Sequence, residues 1–128
     1  MANAAAHPVM WFEVMGKSTE VLQPFYRQLF GWAINSDNPK KYGEVDTGAG
    51  RGIPGGIGQV SGDGTSAKRW VTFYVETPDI EATLADVARL GGMVALPRTA
   101  IAPGTVIGLF EDPEGHVIGL IEAQAASA

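Results

Sequence analysis

The sequence predicts an α+β fold: two βαβββ units within a single domain of 128 residues. Three observations predict it. The chain repeats itself: a shift of 61 residues carries Trp11 onto Thr72, Phe12 onto Phe73, Val14 onto Val75, Ser18 onto Asp79, Glu20 onto Glu81, Leu29 onto Leu90 and Gly31 onto Gly92. The same shift carries Ile57-Gly58 onto Ile118-Gly119. In both halves the hydrophobic period runs strand, helix, then three strands. Each copy is about 60 residues long and marginal alone, so the copies are expected to share a sheet or core. Two facing copies would enclose a cleft, the natural place to look for function.

The first unit occupies about residues 8–61. Met10-Trp11-Phe12-Glu13-Val14 alternates as a strand, with Met10, Phe12 and Val14 on one face and Trp11 and Glu13 on the other. Lys17 to Phe30 has helical spacing, with Ser18 as N-cap, Gly31 as stop and an apolar stripe of Val21, Leu22, Phe25, Leu29 and Phe30. Pro24 lies inside it, removes a hydrogen bond and predicts a kink or a loose first turn. Trp32–Asn35, Tyr42–Asp46 and Ile53–Val60 follow as strands, separated by Asp37-Asn38-Pro39 and the Gly48–Gly52 run. Gly62–Ser66 connects to the second unit, about residues 68–122. There Trp70–Glu76 is a strand, and Asp79 caps a helix with the stripe Ile80, Leu84, Val87 and Leu90. Val94–Ile101, Val106–Phe110 and Val117–Ile121 are strands, and Asp112-Pro113-Glu114-Gly115 suits a type I turn. The tail Ala123–Ala128 is expected to fray.

Composition removes several function classes. Hydrophobic residues are 45% and charged residues 18%, as in ordinary soluble proteins. The net charge is −5, with no basic patch beyond Lys40-Lys41 and Lys68-Arg69, which argues against nucleic acid or an anionic membrane as partner. There is no cysteine, hence no disulfide or thiol chemistry. No apolar run approaches the roughly 20 residues of a membrane span. Met1–Ala6 lacks the features of a secretion signal, so a cytoplasmic protein is expected.

The paired βαβββ order, with Phe25-Tyr26 and Leu29-Phe30-Gly31-Trp32 in the first unit, resembles the vicinal oxygen chelate superfamily. Asp79-Ile80-Glu81-Ala82-Thr83, Leu90-Gly91-Gly92 and Asp112-Pro113-Glu114-Gly115-His116 extend the resemblance over residues 8–122. That superfamily includes glyoxalase I, bleomycin-resistance proteins, extradiol dioxygenases and methylmalonyl-CoA epimerase. The resemblance implies cupped mixed sheets with helices on the outer face, an internal ligand cavity and a homodimer.

It also implies four places where metal-dependent relatives carry ligands, usually His on the first strand and Glu on the last strand of each unit. Here those places fall on Trp11, Gly58, Thr72 and Gly119. None supplies the imidazole, carboxylate or thiolate that a divalent metal needs. The expectation is therefore no metal and no cofactor.

Alternation places Trp11, Glu13, Trp70, Thr72 and Tyr74 on the inner face, joined by Gly58, Gly119 and Ile121 from the last strands. Such apolar and aromatic walls with few polar tips suit a small-molecule pocket, and the bare glycines admit a flat ligand or Trp11 itself. Glu13 is a candidate general acid/base with Tyr74 as hydrogen-bond donor; its plainer role is a bond to a neighbouring amide or cation. His7 and His116 read as exposed. Gly50-Arg51-Gly52-Ile53-Pro54-Gly55 fits a dinucleotide pattern by letter but lacks the following helix, and is read as a rim loop. Arg51 and Arg98 stand where they could reach an anionic ligand, or be solvated.

Three functions remain open: a metal-independent binder of a planar or hydrophobic small molecule, a metal-independent isomerase, lyase or cyclase using Glu13, and a scaffold with a filled cavity. The acidic net charge favours a cationic ligand.

Overall fold

The computed structural model describes residues 6–60 and 68–123. Its elements follow the expected order: β1 (Val9–Gly16), α1 (Thr19–Phe30), β2 (Ala33–Asn35), β3 (Gly43–Asp46), β4 (Gly55–Gln59), β5 (Trp70–Thr77), α2 (Ile80–Arg89), β6 (Met93–Ala102), β7 (Thr105–Glu111) and β8 (Val117–Glu122). The fold is α+β. The connector expected at Gly62–Ser66 lies outside the described residues, as does almost all of the tail. Contacts gather the chain into two compact units, Trp11–Thr72 and Phe73 onward with the residues up to Met10. The boundaries thus fall inside β1 and β5.

In the first unit the strands lie in the order β2-β3-β4-β1. β1 runs parallel to β4, with Phe12 opposite Gly55 and Glu13 opposite Gly56. β3 is antiparallel to β4 and to β2. In the second the order is β5-β8-β7-β6, with β5 parallel to β8 and Tyr74 opposite Gly119. β7 is antiparallel to both neighbours. Each unit therefore builds a mixed four-stranded array by the same path.

The two helices use their faces differently. In α2, Ile80 is 0% exposed and Leu84 6%, and with Leu120 they form a core against which Val75, Val106 and Phe110 pack. Asp79 caps the helix as expected, its carboxylate accepting from the Ala82 N–H at 3.0 Å. Gly115 N–H donates to the Asp112 carbonyl at 2.8 Å, closing the expected turn.

Helix α1 departs from expectation. Val21, Phe25, Leu29 and Phe30 of the expected core stripe are exposed, between 55% and 68%. The buried residues are Thr19 and Gln23, while Leu22 is half-buried against Gly16. The reason lies under the helix. Gln23 Nε2 donates to the carbonyls of Ile57 (2.9 Å) and Lys41 (3.1 Å), which an apolar side chain could not satisfy. Ser18 sits at the N-cap, but its side chain makes no capping bond; its backbone carbonyl accepts from Val21 and Leu22. Pro24 neither ends nor divides the helix. The carbonyl its missing N–H would have served belongs to Glu20, an exposed residue that water reaches. Gly31 closes the helix in the left-handed region at φ 72°. Trp32 then folds back onto Tyr26, Phe30 and Phe12, with ring centroids 5.0–5.8 Å apart.

Candidate functional site

The alternation of β1 sets the site. Phe12 turns to the helix side and meets Trp32, which leaves Trp11 and Glu13 on the opposite face. There the Trp11 indole N–H donates to the Tyr42 hydroxyl at 3.0 Å. The Tyr42 hydroxyl donates to the Glu13 carboxylate at 2.9 Å. Accepting from an indole, which can only donate, directs the phenol proton to Glu13. Glu13 is 7% exposed; Trp11 and Tyr42 are half-buried.

Tyr42 was not singled out from the sequence, yet it is the hub. The β3–β4 register pairs Gly43 with Ile57 and Glu44 with Gly56. Tyr42, one residue earlier, lies over the bare backbone of β4. A Cβ at Gly56 would overlap the Tyr42 ring, and one at Gly58 would come within 2.7 Å of Tyr42 Cδ1 and 2.8 Å of Met15 Sδ. The glycine patch expected to admit a flat ligand is thus covered by this tyrosine. Three features fix it. Asn38 brackets its backbone, donating to the Tyr42 carbonyl (2.7 Å) and accepting from its N–H (2.9 Å). Gln23 holds the Lys41 carbonyl. Lys41 adopts φ 57°, the sole positive φ among described non-glycine residues, and swings the chain into β3. The signal available in the sequence was Gly56 and Gly58 two apart on one strand, which announces a close neighbour.

In the second unit Tyr74 is 7% exposed and its ring covers Gly119, directly across the parallel pair. Ile121, opposite Glu76, is half-buried. Thr72 is 5% exposed. Trp70, 36% exposed, lines a shallow cleft at the end of β1. Arg98 is not available to an anionic ligand: it grips Glu122 through Nε and Nη2, at 2.6–3.1 Å. Glu122 also accepts from the Ile80 N–H, capping α2. The Arg98 hydrogen bonds, helped by that amide, hold the Glu122 carboxyl at about 2. His116 is exposed and pairs with Asp112 at 2.9 Å. The Asp112 carboxyl is pulled below its ordinary range, mainly by the His116 backbone N–H.

The register also corrects the repeat. With Glu13 aligned to Tyr74, the residue matching Gly119 is Gly56, not Gly58. The two last strands are thus offset by two residues more than the first strands, a shift that preserves the face. Trp11, Gly56, Gly58, Thr72 and Gly119 carry no ligand of normal strength for a divalent metal. Among the described residues, no group of three or more His, Cys, Asp or Glu stands close enough to hold one. These positions do not fit the metal centre of metal-dependent relatives.

A family model described as a glyoxalase-like domain matches residues 13–121. The chain belongs to the glyoxalase-like domain family. This agrees with the vicinal oxygen chelate resemblance. The glyoxalase-like chain is 26% identical over 131 aligned positions to the protein named "Putative glyoxylase CFP32" of Mycobacterium tuberculosis, and equally to its Mycobacterium bovis counterpart. The match covers 88% of this chain and 44% of those relatives, so the chain spans less than half their length. Among solved structures, methylmalonyl-CoA epimerase from Mycobacterium tuberculosis aligns with TM-score 0.68 at 12% identity, covering 97% of this chain and 95% of that one. A glyoxalase/bleomycin resistance protein/dioxygenase superfamily member from Vibrio splendidus aligns with TM-score 0.61 at 16% identity, covering 92% and 100%. At these identities the two structures share the fold. Among the described residues no helix is long and apolar enough to cross a membrane.

Proposed function

We propose that this glyoxalase-like domain is a metal-independent, cofactor-free binder of a small molecule, held against the Trp11–Tyr42–Glu13 face. The observation that carries the reading is the buried carboxylate of Glu13 within an aromatic surround, bonded to a phenol that is itself oriented by an indole. A carboxylate in such a setting favours a flat ligand bearing a cation or a hydrogen-bond donor, since aromatic faces attract cations and a buried carboxylate seeks donors. The net charge of −5 adds long-range attraction for a cation.

The test is titration with proflavine, a planar aromatic cation, read by Trp11 emission after Trp32→Phe and Trp70→Phe. Saturable quenching is expected at one site per chain, weakened about tenfold by Glu13→Gln, which is ~1.4 kcal/mol. Quenching indifferent to Glu13→Gln, or none at all, would remove the reading. Elemental analysis of protein made without a metal-binding tag is expected to find no stoichiometric metal; one equivalent of zinc, nickel, manganese or iron would overturn metal independence.

The Tyr42–Glu13 bond also favours a second reading, an isomerase, lyase or cyclase. A phenol in direct contact with a carboxylate can pass a proton to or from a bound substrate. Turnover abolished by Glu13→Gln with binding retained separates this reading from simple binding.

The assembly we propose is a cytoplasmic homodimer. Support comes from the exposed stripe Val21, Phe25 and Leu29 on α1, an apolar surface of the kind chains cover by association. Light scattering is expected to give twice the 13.5 kDa chain mass; the monomer mass at micromolar concentration would count against it.

A further inference from the structure

The chain also carries a cleft whose lining does not include Trp11, Tyr42 or Glu13. This cleft, of about 370 Å³, lies at the C-terminal end of β1 and is lined by Val14, Met15, Leu22, Trp70 and Val71, with Gly16 as bare floor and Arg69 beside it. The volume falls at the small end of ligand sites, roughly 300–1,000 Å³. Its lining is almost wholly apolar, and Arg69 is the one charged residue in it. Among the described residues Arg69 has no carboxylate partner; the ion pairs there join Arg89 to Asp86, Arg98 to Glu122 and His116 to Asp112. Lys68 adds a second exposed cation next in sequence.

An arginine with no carboxylate partner among the described residues, beside an apolar cleft, selects for a ligand with an apolar body and an anionic head. The head answers Arg69 in its planar, two-toothed geometry, and the body covers Leu22, Val71 and the indole of Trp70. We infer that this cleft binds a small amphipathic carboxylate, a medium-chain or arylalkyl acid, independently of the ligand proposed for the Glu13 face. Gly16 is part of the device. A Cβ there would overlap Leu22, so glycine keeps Leu22 seated as the inner wall.

The probe is decanoate, kept below its micellar concentration and compared with decanol, which has the same body without the charge. In protein carrying Trp11→Phe and Trp32→Phe, the remaining Trp70 emission is expected to shift saturably at one decanoate per chain. Arg69→Gln should weaken decanoate at least fivefold and leave decanol unchanged, and added salt should weaken only decanoate. Phe25→Ser, on the exposed stripe of α1, should alter neither. Amide shifts of Gly16 and Val71 in wild-type protein give the same answer without removing any tryptophan. Equal weakening of both probes by Arg69→Gln, several decanoates per chain, loss of binding in Phe25→Ser, or unmoved Gly16 and Val71 amides would each overturn the inference. Because the readout excludes Glu13 and Trp11, its failure leaves the reading of the Glu13 face untouched.

Discussion

Helices α1 and α2 occupy the same place in the two repeats and do opposite work. α2 buries Ile80 and Leu84 in an apolar core with Leu120. α1 buries Thr19 and Gln23 and leaves Val21, Phe25 and Leu29 outside. One copy spends its inward face on packing. The other spends it on polar bonds that fix the Lys41–Tyr42 segment, and hence the phenol on Glu13. The two repeats carry equivalent helices, and with Gln23 on its buried face α1 bonds the Lys41–Tyr42 segment where α2 packs an apolar core.

The sharpest way to break this comparison is to truncate each helix at its most telling apolar residue. Leu84→Ala removes a core side chain that is 6% exposed and is expected to cost about 2–5 kcal/mol in urea denaturation. Phe25→Ala, at 55% exposure, is expected to change monomer stability by less than ~0.5 kcal/mol. Equal losses would mean that both helices serve as core.

Next in size is the glycine beneath the phenol. Gly56→Ala would put a methyl group into the Tyr42 ring, and overpacking of this kind costs about 1–3 kcal/mol. The companion change Tyr42→Ala should relieve much of that cost, so the double variant is expected to be more stable than additivity of the two single changes allows. Strict additivity in a double-mutant cycle would show that Tyr42 does not sit over Gly56 in solution.

Gln23→Leu asks whether the polar inward face of α1 is needed. It leaves two carbonyls, Lys41 and Ile57, without their side-chain donor, at about 1–3 kcal/mol. The telling readout is proflavine affinity, which should fall in Gln23→Leu if the glutamine positions Tyr42 and stay unchanged if it is structural alone. The conservative Gln23→Glu, measured at acid pH where the carboxyl is protonated and can donate one bond, should recover part of the loss.

Much of the architecture was legible in the sequence because the repeat imposes it. Element order, strand faces on β1, the Asp79 cap and the Asp112–Gly115 turn all follow from short-range periodicity and turn chemistry. Two things were not legible. The facing of α1 was read from hydrophobicity, and what turns it is a set of backbone carbonyls on β4 and before β3 that have no signature of their own. Tyr42 reads only as the first residue of a short strand, and its contacts with Trp11 and Glu13 span 31 and 29 residues, set by strand register. Gly56 and Gly58 did announce a close neighbour. They could not say whether the neighbour was a ligand or a tyrosine of the same chain.

The smallest effect expected lies in the second unit, where Arg98 and the start of α2 share one carboxylate. Glu122 takes hydrogen bonds from Arg98 and from the Ile80 N–H, and these hold its pKa at about 2 against an ordinary 4.5. A carboxyl depressed by folding contributes stability that is present above its unfolded pKa and lost as pH falls towards its folded one. The contribution is therefore complete above about pH 4.5 and fades towards pH 2. Glu81 and Asp79 also face Arg98 and add to the negative field around it. The pair is partly exposed, which screens the effect and keeps it small. Glu122→Gln should flatten the acid limb of the urea midpoint between pH 4.5 and 2 and change little at pH 7 beyond a constant offset. Asp112→Asn should flatten it separately, since the Asp112 carboxyl is also depressed but at a different turn. An acid limb as steep in Glu122→Gln as in the wild type would mean that the Arg98–Glu122 clamp is open in solution. The N-terminus of α2 would then rest on Asp79 for its capping.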